Sequence, residues 1–335
     1  MVRINHLKLI KKLSAWLVCQ SVSVDLADKT ARILVEGDLA GHPGHGAERI
    51  TQIRSGFANQ TIQTNGRHTV KKCSQTVTLI DAHYNLGYPV VEKAVHTAVD
   101  LAKQFGVGVC AVKNASHIGI LGYYANLASQ HGCICVILSS TSPAVVLPGG
   151  KEQLLGTNPI SYAIPMASGP SYVADFSTSS VSRTALIEHM QSELCFDSAV
   201  GVDANGIPSQ DPQQIAQGGL LPFGDLKGAH LSILFSILCG PLIGTVTNDF
   251  VKGTRSMEQS PNKGDFVLCF DVSSFTDIST FTRSVQSFSE RIAASSERFR
   301  VPGAHTSETR KKNMRDGVVL SDKLCRFFEE EGISL

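Results

Sequence analysis

The chain has 335 residues, of which 42% are hydrophobic and 18% are charged. Such a composition supplies enough apolar side chains for a buried core and excludes a largely disordered chain. The 30 Lys and Arg residues nearly balance the 29 Asp and Glu residues, which leaves a formal net charge of +1. Because no long basic run accompanies this balance, the sequence argues against a nucleic-acid partner. The length predicts about two structural units.

Nine cysteines are scattered singly along the chain, and an odd, dispersed set is not typical of a disulfide framework. Cys133 and Cys135 form the one close pair, and in a strand they would point to the same face. We interpret them as buried thiols in preference to a metal or redox pair, because no second Cys/His pair at zinc spacing lies nearby. A reducing, cytoplasmic setting without a metal site is therefore expected.

Two apolar stretches could be taken for a signal peptide or a membrane-spanning segment. Near the N-terminus, basic residues precede a short apolar run, but no small-x-small cleavage site follows, and Leu7, Ile10, Leu13 and Leu17 share one helical face. The most apolar segment, residues 231–246, is interrupted by a Gly-Pro pair and is expected to be too short to span a bilayer. The sequence therefore predicts no transmembrane helix.

The remaining pattern alternates between helices and strands, as in an α/β protein. Residues 4–40 predict two helices, the second beginning near Asp25, and residues 41–46 form a loop with three glycines and a proline. A polar stretch continues to about residue 74. Further helices are predicted at residues 90–105, 123–130, around 281–292 and at 321–331. Strands are predicted at residues 107–112, 133–139, 161–164, 172–176 and 266–271. Residues 248–263 are polar and irregular and predict a surface excursion.

Two common nucleotide-binding patterns are missing from the sequence. No strand is followed by G-x-G-x-x-G and a helix, because Gly106 and Gly108 lead into a strand instead. The pattern G-x-x-x-x-G-K-[ST] is also absent. A Rossmann dinucleotide site and a P-loop are therefore not expected.

Several short motifs carry side chains suited to catalysis or binding. The glycine-rich loop holds His45, and Arg49 follows four residues later, so a helix beginning after Gly46 would turn both toward one pocket. The guanidinium of Arg49 suits a carboxylate, although the alternative is an ordinary surface turn. His117 follows a predicted buried strand, where it is placed for proton transfer or is a structural histidine.

Other motifs indicate turns and anion contacts. Residues 141–150 and 156–160 are rich in Gly, Pro and Asn, and we interpret residues 156–159 as architectural. Asp175 lies near the end of a predicted strand, next to several hydroxyl residues. These side chains could contact a ribose, a phosphate or an amide, or the segment could be a helix N-cap. Lys227 lies between two glycines and suits an anionic ligand.

Taken in order, these motifs resemble the malate/L-lactate dehydrogenase family of the non-Rossmann type. This family includes ureidoglycolate, sulfolactate and diketogulonate oxidoreductases and cyclic-imine carboxylate reductases, and the resemblance covers roughly residues 34–321. It implies an α/β fold in which a mixed sheet in residues 75–274 binds a nicotinamide cofactor. It also implies a helical substrate and dimer domain built from residues 1–74 and 275–335. The expected assembly is a homodimer with active sites near the interface.

The resemblance also implies a reaction and a set of site residues. A hydride would be transferred between NAD(P)H and C2 of a small 2-oxo or 2-hydroxy acid, of the malate, lactate, sulfolactate or ureidoglycolate kind. By motif, His117 matches the proton donor, Arg49 the carboxylate-binding residue and His45 a residue that orients or protonates substrate. Thr141 matches a substrate-contacting position. The positions that match cofactor contacts are Asp175, Phe176, Ser177, Lys227 and Gly303.

Two departures from the family pattern bear on this interpretation. The family's Ser-His-Gly is Gly44-His45-Gly46 here, so one hydroxyl is missing, and Asp225 stands where the family has glycine in Gly-Gly-x-Lys-Gly. A carboxylate near Lys227 would repel a phosphate, which favours NAD over NADP. Two alternatives remain open: an impaired or non-catalytic relative that keeps the fold and dimer, and a reductase of pyrroline- or piperideine-2-carboxylate. No membrane or nucleic-acid partner is expected.

Overall fold

A computed structural model describes residues 2–334 of the chain. Within these residues there are eleven α-helices: α1 (His6–Cys19), α2 (Val24–Leu39), α3 (Ile50–Ala58), α4 (Gly87–Phe105), α5 (Leu121–Ser129), α6 (Arg183–Ser192), α7 (Pro212–Gln217), α8 (Leu226–Leu238), α9 (Ile278–Ala294), α10 (Ala304–Asp316) and α11 (Asp322–Glu330). The strands are β1 (Arg3–Ile4), β2 (Thr69–Lys72), β3 (Val77–Asp81), β4 (Val107–Lys113), β5 (Cys133–Ser139), β6 (Val145–Val146), β7 (Gln153–Leu155), β8 (Ile160–Ile164), β9 (Tyr172–Phe176), β10 (Gly201–Val202), β11 (Pro208–Ser209), β12 (Gly219–Leu220), β13 (Gly264–Asp271) and β14 (Val318–Val319).

The central sheet has seven strands in the order β2-β3-β4-β13-β5-β8-β9. Only β3 and β4 pair in parallel, and every other neighbouring pair is antiparallel. A second sheet, β11-β10-β12-β6-β7, lies within the same middle part of the chain, and β1 pairs with β14. A doubly wound Rossmann sheet is mostly parallel. The predicted mixed sheet is therefore confirmed, and it agrees with the missing glycine fingerprint.

Helix α4 packs on the central sheet through its small and β-branched face. Ala94, Ala98 and Ala102 are fully buried, at the spacing of one helical face. The approach is close enough that a Cβ at Gly108 of β4 would lie 2.0 Å from the carbonyl oxygen of Ala98. The helix ends at Gly106, whose φ of 85° is the left-handed conformation that glycine adopts readily.

Helices from the two ends of the chain contact each other. The rings of Trp16 in α1 and Phe327 in α11 lie 5.2 Å apart, edge to face. The indole Nε1 of Trp16 donates a hydrogen bond to Glu331, and Arg54 of α3 forms an ion pair with Glu330. The division into a terminal helical domain and a cofactor domain at residues 74 and 275 remains a prediction.

Most predicted elements are confirmed, and the strands Cys133–Ser139 and Tyr172–Phe176 match at both ends. Cys133 and Cys135 are both buried and free, as predicted. The polar stretch before residue 74 contains α3 and β2, which the sequence analysis did not distinguish. The prediction of a surface excursion at residues 248–263 is wrong in part. Met257 is buried, and its carbonyl oxygen accepts hydrogen bonds from Asn59 and Thr61.

One segment, Leu226–Ile243, is long and apolar enough by composition to cross a membrane, with a mean hydropathy of 1.6 and 44% of it buried. The sequence interpretation expected this region to be too short. Regular α-helix ends at Leu238, so α8 is about 20 Å long, against a hydrocarbon core of about 30 Å. A 3-10 turn that begins at Pro241 follows.

Candidate active site

The loop that carries His45 is held against the end of α2. The carboxylate of Asp38 accepts a hydrogen bond from the backbone N–H of Ala47 at 2.6 Å. Gly46 has no room for a side chain, because a Cβ there would lie 2.4 Å from Oδ1 of Asp38. The Asp38 side chain therefore fixes the 3-10 turn at Pro43–His45 and, with it, the position of the imidazole.

Asp38 is buried, and burial raises the pKa of its carboxyl group to about 7. The hydrogen bond from Ala47 opposes this shift, and the nearby charge of Glu48 adds to it. A carboxyl in apolar surroundings resists ionisation because its charge loses solvation. Asp38 therefore holds a proton through much of the acidic range.

Arg49 directly precedes α3 and turns its guanidinium into the same region. Its Nε donates to the carbonyl oxygen of Gly44 at 2.7 Å, and its Nη1 donates to Oε1 of Gln52 at 3.1 Å. Among residues 2–334 no carboxylate lies within 4 Å of this guanidinium. The remaining N–H groups are thus oriented by protein contacts and are free to bind an anion.

His117 follows β4 and lies beside His45, with 5.6 Å between the two ring centres. Its Nδ1 accepts a hydrogen bond from the backbone N–H of Gly119 at 3.0 Å, and the hydroxyl of the buried Tyr88 lies 3.3 Å from the same nitrogen. The structure therefore brings together His45, Arg49 and His117, the three residues that the sequence analysis named as catalytic.

Both histidines are held neutral by their surroundings. Burial, followed by the charges of Arg49 and His42, lowers the pKa of His45 to about 4. The pKa of His117 is lowered well below its ordinary value, first by burial and then by the charges of Arg49, His45 and Lys263. Positive charge near an imidazole disfavours a second positive charge on the ring. An anion bound to Arg49 would remove part of that effect.

Thr141 lies in a hydrogen-bonded loop between the two sheets. Its Oγ1 accepts from the backbone N–H of Thr157 at 2.9 Å, and its own N–H donates to Asn158 at 3.2 Å. Asn158 is fully buried and exchanges hydrogen bonds with Asn248. This network supports the architectural interpretation of residues 156–159, and it engages the Thr141 hydroxyl in the fold.

Asp175 contributes a structural contact as well as a candidate ligand. It lies in β9, and its Oδ2 accepts a hydrogen bond from the backbone N–H of Gly122 at 2.6 Å, in the first turn of α5. Desolvation by the surrounding protein raises its pKa to about 6, although the residue is open to solvent on one side. The carboxylate thus binds a backbone amide at a helix N-terminus, and an amide contact was among the alternatives in the sequence analysis.

The other predicted cofactor positions lie near the end of β9 and the start of α8. Phe176 is 43% exposed and contacts Phe223 edge to face, at 6.3 Å between ring centres. The hydroxyl of Ser177 hydrogen-bonds that of Ser179 at 2.9 Å. Lys227 is exposed in the first turn of α8, without an acidic partner within 4 Å among residues 2–334.

The residue before α8 has an unusual backbone. Asp225 is the N-cap, with φ of 60° and ψ of −124°, and its carboxylate accepts no capping hydrogen bond. L-residues rarely adopt these angles. Asp225 therefore occupies a conformation suited to glycine, which the comparison of motifs anticipated.

Gly303 has a packing role. Its φ is 88°, and a Cβ there would lie 3.2 Å from the carbonyl oxygen of Ser171 and from Val173 in β9. Pro302 accepts a hydrogen bond from the backbone of Val173 at 3.2 Å. Gly303 thus joins the start of α10 to the edge strand of the sheet, next to the candidate cofactor positions.

Residues 4–328 match the family model described as malate/L-lactate dehydrogenase. The chain belongs to the malate/L-lactate dehydrogenase family. It is 36% identical to a malate/(S)-sulfolactate dehydrogenase of Methanothermus fervidus, over 92% of this chain and 91% of the relative. A (2R)-3-sulfolactate dehydrogenase (NADP(+)) of Chromohalobacter salexigens is 28% identical over 75% of each chain.

Solved structures give the same assignment. The sulfolactate dehydrogenase of Methanocaldococcus jannaschii superposes with a TM-score of 0.93 and 30% identity, covering 99% of this chain and 98% of the other. As a member of this family, the chain is an oxidoreductase that uses a nicotinamide cofactor for hydride transfer on small hydroxy or oxo acids.

The candidate cofactor residues fit a nicotinamide dinucleotide. The backbone N–H groups of Lys227 and Gly228 already donate to the carbonyl oxygens of Gly224 and Phe223. The group that suits a pyrophosphate here is therefore the exposed side chain of Lys227, which has no carboxylate within 4 Å among residues 2–334. The exposed ring of Phe176 offers an apolar face for a heterocycle. The carboxylate of Asp225, two residues from Lys227, disfavours an anion there.

Several residues around the site were missed by sequence reasoning. Tyr88 lies in an apolar helical pattern, and Lys263 lies in a segment interpreted as surface, although it is buried in an ion pair with Asp265. Arg183 and Arg255 carry no motif. Burial lowers the pKa of both residues. The charge of Arg49 lowers the pKa of Arg183 further, and the charge of Arg183 lowers that of Arg255. No sequence pattern indicates that these residues lie near the site, and only the three-dimensional structure places them there.

Proposed function

We propose that this chain transfers a hydride between NAD(P)H and C2 of a small 2-oxo or 2-hydroxy acid, of the malate, lactate, sulfolactate or ureidoglycolate kind. The observation that carries the proposal is the cluster of His45, His117 and Arg49, in which the guanidinium has no carboxylate partner within 4 Å among residues 2–334. Such a cluster provides an anion-binding group beside groups that move a proton.

In this proposal each residue has a distinct role. The guanidinium of Arg49, oriented by Gly44 and Gln52, binds the substrate carboxylate. During reduction the imidazolium form of His117 delivers its Nε2 proton to the oxygen on C2 and becomes neutral, and during oxidation the neutral ring takes that proton back. His45, adjacent to His117, orients the same oxygen. A bound nicotinamide cofactor supplies or accepts the hydride at C4.

Substrate binding also prepares His117 for proton transfer. In the ligand-free protein the charge of Arg49 lowers the pKa of His117. A substrate carboxylate on Arg49 offsets this charge and therefore raises the pKa of His117 toward the range in which an imidazole acts as an acid. The proton donor becomes effective when an anionic substrate is present.

Thr141 is proposed as a substrate contact, and Asp175, Phe176, Ser177, Lys227 and Gly303 as the cofactor-binding set. Among these, Lys227 has the clearest reason to bind an anion. We propose NAD as the preferred cofactor, because the carboxylate of Asp225 lies two residues from Lys227 and disfavours an additional phosphate. Kinetics with NADH and NADPH test this preference directly.

We further propose a homodimer in the cytoplasm. One face of α8 exposes apolar side chains, namely Leu226, Ile233, Leu234 and Ile237, and a second copy would shield this face from water. All nine cysteines are free, which favours a reducing compartment. Light scattering of the purified protein and of Leu234→Glu tests the dimer: a monomeric wild-type protein contradicts it.

The decisive experiment is a substrate panel. Purified protein is assayed for NADH and NADPH oxidation with 2-oxo acids and with the cyclic imines pyrroline- and piperideine-2-carboxylate. We expect turnover with a 2-oxo acid. Turnover confined to cyclic imines supports the imine reductase alternative. No turnover and no calorimetric binding of NADH or NADPH supports the second alternative, an impaired relative, which the substitutions at Gly44 and Asp225 favour.

A further inference from the structure

The start of α6 lies directly beside the loop that carries His45. Ser182 caps the helix, accepting a hydrogen bond from the backbone N–H of Ala185 at 3.0 Å. The cap places Arg183 and Thr184 in the first turn. A Cβ built on Gly44 would lie 2.8 Å from Cγ2 of Thr184. The first turn of α6 is therefore part of the wall around the catalytic histidines.

A second arginine reaches the same wall from the segment after α8. Gln52, whose Oε1 accepts a hydrogen bond from Arg49, donates through Nε2 to the carbonyl oxygen of Thr254 at 3.1 Å. The hydroxyl of Thr254 is also bonded to Ser142 at 2.5 Å. Arg255 follows Thr254, so its backbone is held by the same side chain that orients Arg49.

The three arginines form a concentration of positive charge. Burial and then the charge of Arg49 lower the pKa of Arg183. Burial and then the charge of Arg183 lower the pKa of Arg255 to about 10. Among residues 2–334, none of the three has a carboxylate within 4 Å. Both Arg183 and Arg255 are exposed to solvent and are accessible to a ligand.

Arg183 and Arg255 both line a cavity of about 170 Å³, whose lining does not include His45, Arg49 or His117. Its other lining residues are apolar or uncharged, and they include Leu186, Met190 and Ile215. Among residues 2–334 no acidic side chain lines this cavity. A charged fork at the edge of such a cavity binds a planar or tetrahedral anion in a defined orientation. The positive charges of Arg49, Arg183 and Arg255 disfavour one another, and a bound anion would offset this repulsion.

We propose that Arg183 and Arg255 bind a second anionic group of the substrate, at the end opposite the carboxylate held by Arg49. The inference rests on the proposed function and narrows it. The preferred substrate is then a dianionic 2-oxo acid, with a carboxylate or sulfonate on C3, and a monoanionic 2-oxo acid is a poor substrate. Arg183 and Arg255 determine specificity, and they take no part in the proton transfer.

The test compares two probes of similar size, oxaloacetate and 2-oxobutyrate, in which a second carboxylate is replaced by a methyl group. The wild-type protein is expected to have a higher kcat/KM for oxaloacetate. Arg183→Met and Arg255→Met should each lower kcat/KM for oxaloacetate by roughly 10- to 100-fold, through KM, because each removes a charge-assisted hydrogen bond. The value for 2-oxobutyrate should change little.

Two further variants control for charge and folding. Arg183→Lys keeps the charge and should recover part of the oxaloacetate activity, and Arg283→Met, on the exposed face of α9, should leave both substrates unaffected. Equal wild-type kcat/KM for the two probes, or an equal loss for both probes in the arginine variants, overturns the inference but leaves the proposed function standing. No turnover of any 2-oxo acid by the wild type overturns both.

Discussion

The backbone N–H of Gly119 points at Nδ1 of His117 across 3.0 Å. An amide N–H is only a donor, so Nδ1 must be the acceptor, and in the neutral ring the proton resides on Nε2. The low pKa of His117 keeps the ring neutral in the free protein. A single backbone contact therefore selects the tautomer of the neutral ring in the free protein. Proton donation to substrate requires the imidazolium, in which Nδ1 also carries a proton and this contact is lost.

Replacement of His117 tests its role as the proton donor. We expect His117→Ala to lower kcat by about 100- to 10,000-fold, the range for loss of a general acid, while the calorimetric Kd for NADH changes little. His131→Ala is a matched control, because His131 is exposed on the loop after α5. An unchanged kcat in His117→Ala would remove this residue from the proposed chemistry.

Asp38 and His45 should give opposite slopes to the pH dependence of folding stability. The pKa of His45 falls from 6.5 to about 4 on folding, so its contribution is lost as the pH falls from 6.5 to 4. The pKa of Asp38 rises from 3.8 to about 7, so the folded state retains a proton that the unfolded state has lost, and stability increases as the pH falls through the same window.

Asp38→Asn removes the contribution of Asp38 to the pH dependence of folding stability and leaves the opposite contribution of His45. The free energy of unfolding should then fall more steeply than in wild type between pH 6.5 and 4, by up to about 1.4 kcal/mol per pH unit. Urea titrations at several pH values measure this. Asp197→Asn, at an exposed position after α6, is the control, and parallel profiles for wild type and Asp38→Asn would contradict the titration of Asp38.

Asp225→Gly should improve both stability and cofactor binding. The residue has φ of 60° and ψ of −124°, where glycine is relaxed and an L-residue is strained by about 1 to 3 kcal/mol. Loss of the carboxylate also removes its repulsion of the cofactor phosphates that Lys227 is proposed to bind. Asp225→Asn separates the two effects, since it removes the charge and keeps a Cβ. We expect a lower KM for NADH in both variants and a higher free energy of unfolding mainly in the glycine variant.

Gly44→Ser should not restore function on its own. The added Cβ would lie 2.8 Å from Cγ2 and 3.0 Å from Oγ1 of Thr184, and such crowding costs about 1 to 3 kcal/mol. Thr184→Ala removes both of these atoms, so the double variant should regain the lost stability. Thermal unfolding of the two single variants and the double variant measures the coupling. Additive effects would show that the two side chains do not meet.

The sequence specified the local structure better than the site. Periodicity located α4, β4 and β9 because burial repeats along each element. The order of His45, Arg49 and His117 along the chain was recognisable because all three lie in short glycine-containing motifs. Residues that meet only through tertiary packing left no such pattern, which is why the positions of Thr184 and Arg255 required a structure.

The segment at residues 248–263 shows the limit of composition most clearly. Its polar character predicted a surface loop, but its carbonyl groups bond α3 and its Lys263 pairs with a buried aspartate. Polar residues also line buried networks and ligand sites, and periodicity does not distinguish these cases. Arg255 lies in this segment, and the sequence analysis missed it for that reason.

Strand β13 pairs with β4 on one side and β5 on the other, although β4 and β5 precede it in sequence by a long interval. The middle of the sheet, including the strand that leads to His117, cannot close until this late segment is in place. Pairings between distant parts of a chain form slowly and late during folding. During synthesis, the central sheet that leads to His117 is therefore completed only after residue 271 has been made.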